Sequence, residues 1–531
     1  MKIWPRLPSV LMIVLTIAVG SVFLRGCAID EGPVGRWMSS LTGTHGLPKE
    51  AVEDLARFRE VYDQKSIENE DARDDQFKQF VDGFKVVRRH YVKEVSDKDL
   101  LTYAIDGLVA GDTKWLEEED GTPKGKANPA KVVEVALDAM TKKLDPHSSY
   151  MTAEEFQELM VDTQGEFGGL GIEVQKTDDF LKVVSPIEGT PADKAGLKPN
   201  DHITHVEGVS IKDWTLMKIV RQLRGKPGTP ITVTVERENE KPFDVTIVRD
   251  IIQVRAVRHA LYDDYLHLRI SSFSERLESD VRKAFDDARD QIGDGLKGVV
   301  LDLRNNPGGL LQQSVALSDI FLNDVDVVSI RGRGEDQVRN YGASDGDLAE
   351  GLPVVVLING GSASASEIVS GALQDHNRAI LMGRRTFGKG SVQTIMPLMR
   401  EGAMRLTTSL YYLPSGRTIQ QVGVAPDIRL DLPEKKEEEV TAKEGEEDGK
   451  ANNAEHNFNA SREADLPNVL SARILAKDNL HDKEGVLGNT SIDACPEIGI
   501  RKDKELGCAI EFLKAGSAKK FLAGVSLDGR G

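Results

Sequence analysis

The stretch PVVVLINGGSASASEIVSGALQDHNRAILMGRRTFGKGSVQ (353–393) decides the fold class and carries the main chemical signal. An apolar strand, PVVVLI, runs into small residues that let the chain turn sharply. Apolar residues then recur at helical spacing, with Glu367 in the first turn of the helix. A second apolar strand leads into a glycine-rich turn that holds Lys389. This order of strand, turn, helix and strand predicts a layered α/β fold.

Ser364 lies at the corner between the first strand and the helix. The amide of Ala365 follows at the helix N-terminus, where unpaired N–H groups can bind a developing oxyanion. Open α/β sheets bind their ligands at this end of the strands. A serine and a lysine can perform acyl transfer without histidine. The segment therefore predicts Ser364 as a nucleophile and Lys389 as its general base.

A lysine can act as a base only if its amine is neutral. A free lysine has a pKa near ~10.4, so about 1 in 2,500 is neutral at pH 7. Lowering the pKa to ~7.5 costs about 4 kcal/mol, which burial can supply. Lys389 must then lie in a dry pocket without a carboxylate partner. Gly388 and Gly390 allow close approach of its backbone, and Gln393 could hold the amine by hydrogen bonding without adding charge.

Two other interpretations of this segment stay open. Gly383, Gly388 and Lys389 match a phosphate-binding loop, but Gly390 stands where the magnesium-ligating Ser or Thr belongs. The serine cluster could also consist of small residues that only pack a tight corner. No zinc-ligand spacing is present, so the sequence predicts neither a metal nor a cofactor.

The remaining chain has further segments of distinct composition. Lys2 and Arg6 precede an apolar run that ends before Cys27, which predicts a cleaved export signal or a membrane anchor, with lipidation of Cys27 as a further option. The predicted segments are a signal or anchor at 1–27, a spacer at 28–74, a helical region at 75–162, a β-rich module at 163–250, an α/β domain at 251–430, a disordered acidic linker at 434–465 and a helical segment at 466–531.

Composition limits the possible functions. The chain has 531 residues and a net charge of −18, which disfavours nucleic acid as a partner. The linker holds eleven acidic and five basic residues and almost no apolar ones, so it cannot offset the entropy of folding. Three cysteines exclude a disulfide scaffold, although Cys495 and Cys508 could pair in an oxidising compartment.

Five motifs together resemble the C-terminal processing (tail-specific) serine peptidase family. They are SASASEI (362–368), GKGSVQ (388–393), LDPHSSYMT (144–152), LDLRNNPGGLL (301–311) and LTTSLYYLPSGRTIQ (406–420). The resemblance covers roughly 75–430 and the extreme C-terminal helix. It implies a multidomain α/β protein with a catalytic domain similar to the crotonase/Clp-peptidase type, an inserted PDZ domain and a helical N-terminal region.

Residue by residue, the resemblance implies Ser364 as nucleophile, Lys389 as base and Gln393 as the residue that orients the lysine. The oxyanion donors it implies are the backbone amides of Ala365 and of Gly308, with Gly309 as the alternative to Gly308. Arg304, Asp302 and Asp375 also match family positions, and we expect structural roles for them. His147 is a candidate base for a Ser–His alternative, but a histidine in a polar turn favours a loop hydrogen bond, so we expect a structural role for it as well.

The β-rich module resembles a PDZ domain. GEFGGLGIEVQ (165–175) places a glycine-rich loop before an alternating strand, an arrangement that can bind an α-carboxylate and pair with an extended peptide. The resemblance implies Gly169, Leu170, Gly171 and Ile172 as the carboxylate-binding loop. A PDZ fold alone would also allow an inactive peptide-binding scaffold.

Together, these features predict an exported, membrane-associated serine endopeptidase of the bacterial periplasm. It would bind exposed protein C-termini and cleave through an acyl-enzyme. The resemblance also implies an adaptor lipoprotein or a homo-oligomer as possible partners. The alternatives are an inactive PDZ-based scaffold and, less favoured, a nucleotide-binding enzyme.

Overall fold

The computed structural model describes residues 45–67, 70–109, 125–177, 179–238, 240–253, 255–334, 337–431, 462–471 and 487–528. The chain divides into two compact units, of which the first holds 1–89, 95–141 and 398–401 and the second the rest. The predicted signal or anchor at 1–27 and most of the acidic linker lie outside the described residues. Among the described helices, none has the length and apolar character needed to cross a bilayer.

The first unit is helical. Its helices are α1 (Lys49–Lys65), α2 (Glu70–His90), α3 (Asp97–Val109) and α4 (Pro129–Lys142). Phe58 and Tyr62 of α1 are fully buried, and the Phe58 ring stacks 3.7 Å from that of Phe80. The segment predicted at 28–74 as a spacer, helical or loose, thus contains a helix over 49–65. This helix belongs to the core because its apolar residues recur on one face at helical spacing.

The second unit contains a β-rich module with one main antiparallel sheet. Its elements, with the two that precede it, are β1 (Ser149–Met151), α5 (Ala153–Gln164), β2 (Glu166–Gly169), β3 (Ile172–Lys176), β4 (Leu181–Pro186), α6 (Pro191–Lys194), β5 (His202–Val206), β6 (Val209–Ser210), α7 (Leu216–Leu223), β7 (Pro230–Glu236), β8 (Phe243–Val248) and β9 (Asp250–Gln253). The sheet order is β3-β4-β5-β7-β8, with β6 beside β5, while β2 pairs with β9. Strand β3 thus forms one edge of the sheet.

The remainder of the second unit is an α/β domain. Its elements are β10 (Val257–Tyr262), β11 (Tyr265–Ile270), α8 (Leu277–Ile292), β12 (Gly298–Asp302), α9 (Leu311–Asp319), β13 (Asp326–Gly332), β14 (Val338–Gly342), β15 (Val354–Ile358), α10 (Ala365–Asp375), β16 (Ala379–Gly383), β17 (Ser391–Pro397), β18 (Ala403–Tyr412), β19 (Ile428–Asp431), β20 (Gly488–Ser491), α11 (Lys504–Ala515) and α12 (Ala518–Asp528). The predicted multidomain α/β class is confirmed.

A seven-stranded sheet forms the centre of this domain, in the order β10-β11-β12-β15-β16-β19-β20. All neighbours from β11 to β20 are parallel. Every residue of β12 and β15 is buried, as expected for central strands covered on both faces. Helices α8, α9 and α10 pack on one face, and α11 and α12 pack on the other.

A second, antiparallel sheet combines strands from before and after the corner segment of the chain. Its strands run in the order β1-β18-β13-β14, and β17 also pairs with β18. Strand β17 begins at Ser391, two residues after Lys389. The pairing of β17 with β18 therefore determines where the glycine-rich loop that holds Lys389 ends.

The C-terminal segment differs from the sequence prediction in two ways. It contributes strand β20 to the edge of the central sheet in addition to two helices. The linker predicted as disordered over 434–465 is ordered at its end, where residues 463–465 form a helical turn and Glu463 is fully buried. Polar partners for the Glu463 carboxylate, described below, explain this burial. Cys495 and Cys508 form a disulfide.

Candidate active site

Ser364 lies at the corner between β15 and α10. Its φ of 54° and ψ of −111° place it in a region that non-glycine residues rarely adopt. Such backbone strain is concentrated at functional sites. The side chain is 9% exposed. Burial raises the pKa of the Tyr411 phenol to about 12, and its hydrogen bond with the Ser364 side chain opposes that rise.

The carboxylate of Glu367 connects the corner at Ser364 to the glycine-rich segment between β16 and β17. We call this segment, residues 384–390, the lysine loop. Its Oε2 accepts from the backbone N–H of Ser364 at 2.8 Å and from that of Lys389 at 2.9 Å. Its Oε1 accepts from the Gly388 N–H at 2.7 Å and from the Thr386 hydroxyl at 2.5 Å. Burial raises the pKa of Glu367 to about 7, while the four donors favour its ionised form. One buried side chain thus fixes both backbones.

Lys389 is partly buried, and burial lowers the pKa of its amine. In the described part of the chain, no carboxylate forms an ion pair with it within hydrogen-bonding distance. A Cβ at Gly390 would lie 2.4 Å from the Gln420 nitrogen, and a Cβ at Gly388 would lie 3.1 Å from the Gln421 carbonyl carbon. Glycine on both sides therefore lets the lysine loop lie directly against the neighbouring chain.

The predicted oxyanion donors have different surroundings. The Ala365 amide occupies the first position of α10, directly after Ser364. A Cβ at Gly308 would lie 2.9 Å from the Ala365 nitrogen and 3.0 Å from Ser364 Cβ, so Gly308 packs against the serine. However, the Gly308 N–H donates to Asn306 Oδ1 at 2.9 Å. In this arrangement the predicted donor role of Gly308 is not met, and the Gly309 amide remains the alternative.

Among the described residues, no hydrogen bond joins the Gln393 side chain to the lysine amine. Its Nε2 donates to Ser391 Oγ at 3.0 Å and to Thr407 Oγ1 at 3.3 Å. The physical reason is an irregularity in the pairing of β17 with β18 between Val392 and Gln393. Such a shift re-aims the side chains that follow it. No hydrogen bond of the described residues supports the orientation of Lys389 by Gln393, which stays a prediction.

The residues expected to have structural roles form buried ion pairs. Arg304 donates to Asp302 Oδ2 at 2.7 Å and also contacts Asp503 and Glu505 of the C-terminal segment. Burial alone would raise the pKa of Asp302, but the Arg304 guanidinium outweighs this effect and holds the pKa well below its usual range.

Asp375 and His147 also contact side chains that can carry the opposite charge. Asp375 lies 3.1 Å from the Arg417 guanidinium and accepts from the Ser415 N–H. His147 Nε2 lies 2.9 Å from a carboxylate oxygen of Glu463. Both residues are thus committed to polar contacts that hold loops together.

The glycine-rich loop of the β-rich module leads directly into an edge strand, and its carboxylate-binding role stays a prediction. Gly171 has a φ of +78°, and its carbonyl accepts from the Ile187 N–H at 2.9 Å. The Leu170 side chain is 2% exposed and belongs to the core of the module. Ile172 opens edge strand β3 and pairs with Pro186 on one side only. The other edge of β3, over the described residues, is available for an added strand.

Sequence reasoning missed three residues that hold the lysine loop: Glu367, Gln420 and Glu463. The spacing of Ser364 and Glu367 is that of a capping box, so a role for Glu367 could have been found. No local pattern indicates Gln420 or Glu463, because both lie far from Lys389 in the sequence.

Comparison with known proteins finds two matching family models and several similar relatives. The family model described as "Peptidase family S41" matches 264–430, and the model described as "PDZ domain" matches 168–247. The carboxy-terminal-processing protease of Bartonella bacilliformis is 52% identical over 321 residues, which cover 60% of this chain and 74% of that protein. The "Probable CtpA-like serine protease" of Staphylococcus aureus is 38% identical over 310 residues, covering 58% of this chain and 62% of that protein.

Two solved structures are similar to parts of the chain. The photosystem II D1 C-terminal processing protease is 26% identical, covers 66% of this chain and 92% of its own, and gives a TM-score of 0.40. The PDZ domain of the Vibrio cholerae carboxy-terminal protease, solved with a peptide, is 33% identical with a TM-score of 0.16. It covers 17% of this chain and 98% of its own.

Proposed function

The chain belongs to peptidase family S41, among the carboxy-terminal-processing proteases, and we propose that it is an endopeptidase with a Ser364–Lys389 dyad. The observation that carries the proposal is the Glu367 carboxylate, whose Oε2 binds both the Ser364 and the Lys389 backbone N–H. The two nitrogens cannot be farther apart than the sum of these two hydrogen-bond lengths. The backbones of the proposed nucleophile and the proposed base therefore lie next to each other.

The reaction we propose proceeds by two acyl transfers. The neutral Lys389 amine takes the proton of the Ser364 hydroxyl as its oxygen attacks the scissile carbonyl carbon. The Ala365 N–H donates to the developing oxyanion. The intermediate then collapses, the peptide C–N bond breaks, and Lys389 returns the proton to the leaving amine. In the second transfer Lys389 takes a proton from a water molecule whose oxygen attacks the acyl carbon, and it returns that proton to the Ser364 oxygen as the ester C–O bond breaks.

The PDZ domain would select substrates by their C-terminal tails. The open edge of β3 would pair with an extended tail, and the loop from Gly169 to Ile172 would hold its carboxylate. Helix α7 of the same module offers an exposed apolar side chain, Leu216, which is 40% exposed, whereas Ile219 and Leu223 belong to the module's core. We therefore propose that tails ending in an apolar residue are preferred.

We further propose that the protein acts in an exported, oxidising compartment such as the bacterial periplasm. Two observations support this location: the basic and apolar N-terminal sequence and the Cys495–Cys508 disulfide. Membrane attachment through 1–27, an adaptor lipoprotein and self-association belong to the same proposal. Fractionation of cells that produce the full chain tests the location.

The decisive experiment measures cleavage of a protein substrate with an apolar C-terminal tail. We expect S364A and K389A each to abolish turnover to a similar extent, because a nucleophile and its base act as one unit. S279A and K283A serve as controls, since both residues are exposed on α8. Mass spectrometry with a serine-reactive phosphonate should place the label on Ser364 in the wild type.

Retention of turnover in either dyad variant would overturn the mechanism. Tail binding without turnover or labelling in the wild type would instead indicate an inactive scaffold. Magnesium-dependent binding of ATP would favour the nucleotide-binding alternative.

A further inference from the structure

A short segment from beyond the acidic stretch lies against the lysine loop. We call residues 462–471 the strap. The Glu463 N–H donates to the Phe387 carbonyl at 3.1 Å, two residues before Lys389. The Leu470 carbonyl accepts from Gln420 Nε2 at 3.2 Å. The strap is thus hydrogen-bonded both to the lysine loop and to the side chain of Gln420.

The Glu463 side chain extends this attachment to the other side of the lysine. Its fully buried carboxylate accepts from Gln420 Nε2 at 3.0 Å. Gln420 Oε1 in turn accepts from the Gly390 N–H at 2.8 Å. Hydrogen bonds that start from Glu463 therefore reach the backbone on both sides of Lys389.

Glu463 is also secured from a third direction. Its two carboxylate oxygens lie 3.0 Å and 2.9 Å from His147 Nε2. The loop of His147 is itself held by Asp145, whose Oδ1 accepts from the His147 and Ser148 N–H groups at 2.8 Å and 3.0 Å. A buried carboxylate with partners on separate segments is expensive to remove, because its loss leaves those partners unsatisfied.

We propose that Glu463 is a positioning residue for the general base, which it clamps by holding the lysine loop from the strap. This inference rests on the proposed function, because it assigns Glu463 to the same Ser–Lys reaction. The clamp acts through Phe387 and Gln420, so Glu463 need not touch the substrate.

The charge of Glu463 gives the clamp a second measurable effect. Burial has the largest effect on the pKa of the Lys389 amine and lowers it. The charge of Glu463 has the next largest effect and raises that pKa. Arg405 lowers the pKa, and Glu367 and Asp145 raise it. His147, the ion-pair partner of Glu463, also carries charge when protonated. Neutralising Glu463 should thus lower the lysine pKa and extend activity to lower pH.

The test uses the full chain and three variants. E463A removes the clamp, and E463Q keeps an acceptor for Gln420 while it removes the charge. D465N is the matched control, since Asp465 is an exposed carboxylate on the same helical turn. The readouts are kcat and KM across pH for a tailed substrate, with tail binding measured separately on each variant.

We expect E463A to lower kcat by about ten- to a hundredfold, as small displacements of catalytic groups do, with KM for the substrate unchanged. E463Q should retain more activity than E463A and move the acidic limb of the pH profile to lower pH. D465N should match the wild type in both respects. If E463A does not fold, as judged by circular dichroism and tail binding, the pH profile of E463Q decides.

The inference would be overturned if E463Q had the same pH profile and the same kcat as the wild type. That result differs from failure of the proposed function, in which the wild type would show no cleavage that depends on Ser364. A loss of tail binding that matches the loss of turnover in E463A, with an unmoved E463Q profile, would also overturn it.

Discussion

Ser364 and Lys389 donate their backbone N–H groups to the same oxygen, Oε2 of Glu367. This shared acceptor means that the serine corner and the lysine loop cannot separate without breaking bonds to one buried carboxylate. Helix α10 carries Glu367 in its first turn, so the element that follows the proposed nucleophile also holds the backbone of the proposed base.

Replacing Glu367 should therefore cost both stability and turnover. We expect E367Q to destabilise the fold by about 2–3 kcal/mol, because the amide nitrogen of glutamine would face backbone donors. Urea denaturation and kcat measure the two losses. E155Q is a matched control, since Glu155 accepts from the Thr152 N–H in the same geometry at an exposed helix start. Equal stability losses in the two variants would contradict the assigned role.

Titration of Glu367 should make the protein less stable as pH rises. Burial raises the pKa of Glu367 from 4.5 to about 7, so between these values the folded state holds a proton that the unfolded chain releases. Its contribution to the free energy of unfolding should fall by about 3 kcal/mol from low pH to above pH 7. Urea denaturation at several pH values should give a flatter dependence for E367Q. Parallel curves for the two proteins would exclude this titration.

Loss of Arg304 should release the C-terminal segment from the sheet. The guanidinium binds Asp302 at the end of β12, and it binds Asp503 and Glu505 at the start of α11. We expect R304A to destabilise the protein by about 3–5 kcal/mol, because it leaves the ionised Asp302 buried without its main partner. Chemical denaturation and limited trypsin digestion measure the change. R429A, which removes an ion pair with Asp431 that is largely exposed, should stay within about 0.5 kcal/mol of wild type.

The Cys495–Cys508 disulfide should stabilise the C-terminal segment. It closes a loop with a sequence separation of 13 and joins α11 to the turn before it. The C495S/C508S variant should lose about 3 kcal/mol of stability by the loop-entropy estimate. Thermal unfolding with and without reductant measures this loss. Reductant should destabilise only the wild type, and an equal effect on the variant would point to another cause.

The carboxylate-binding loop should depend on glycine at position 171. A Cβ there would lie 2.4 Å from Thr190 Cβ, and the φ of +78° disfavours any other residue. We expect G171A to weaken binding of a tail peptide about tenfold, equivalent to about 1.4 kcal/mol. G189A is the matched control, because Gly189 has a φ of +77° but open space around its Cβ position. Fluorescence polarisation should show near wild-type binding for G189A.

Much of the fold and part of the site could be predicted because their signals are local. The corner at Ser364 follows from an apolar strand, a run of small residues and a helical repeat that are consecutive in the chain. The PDZ-like loop before β3 is recognisable for the same reason. The predicted spacer allowed a helix at α1 but not its burial, because overall polarity concealed a regular apolar face that includes Phe58 and Tyr62.

The sequence alone thus determined the type of each layer, the serine corner and the glycine-flanked lysine. Only the tertiary structure decided which polar groups meet them: it turned Gln393 toward Thr407, occupied the Gly308 amide with Asn306, and brought Glu463 to the lysine loop. The physical reason is the distance along the chain over which each kind of interaction acts. Strand and helix periodicities act between near neighbours, whereas hydrogen-bond partners of buried groups are chosen when packing of the core brings distant segments together.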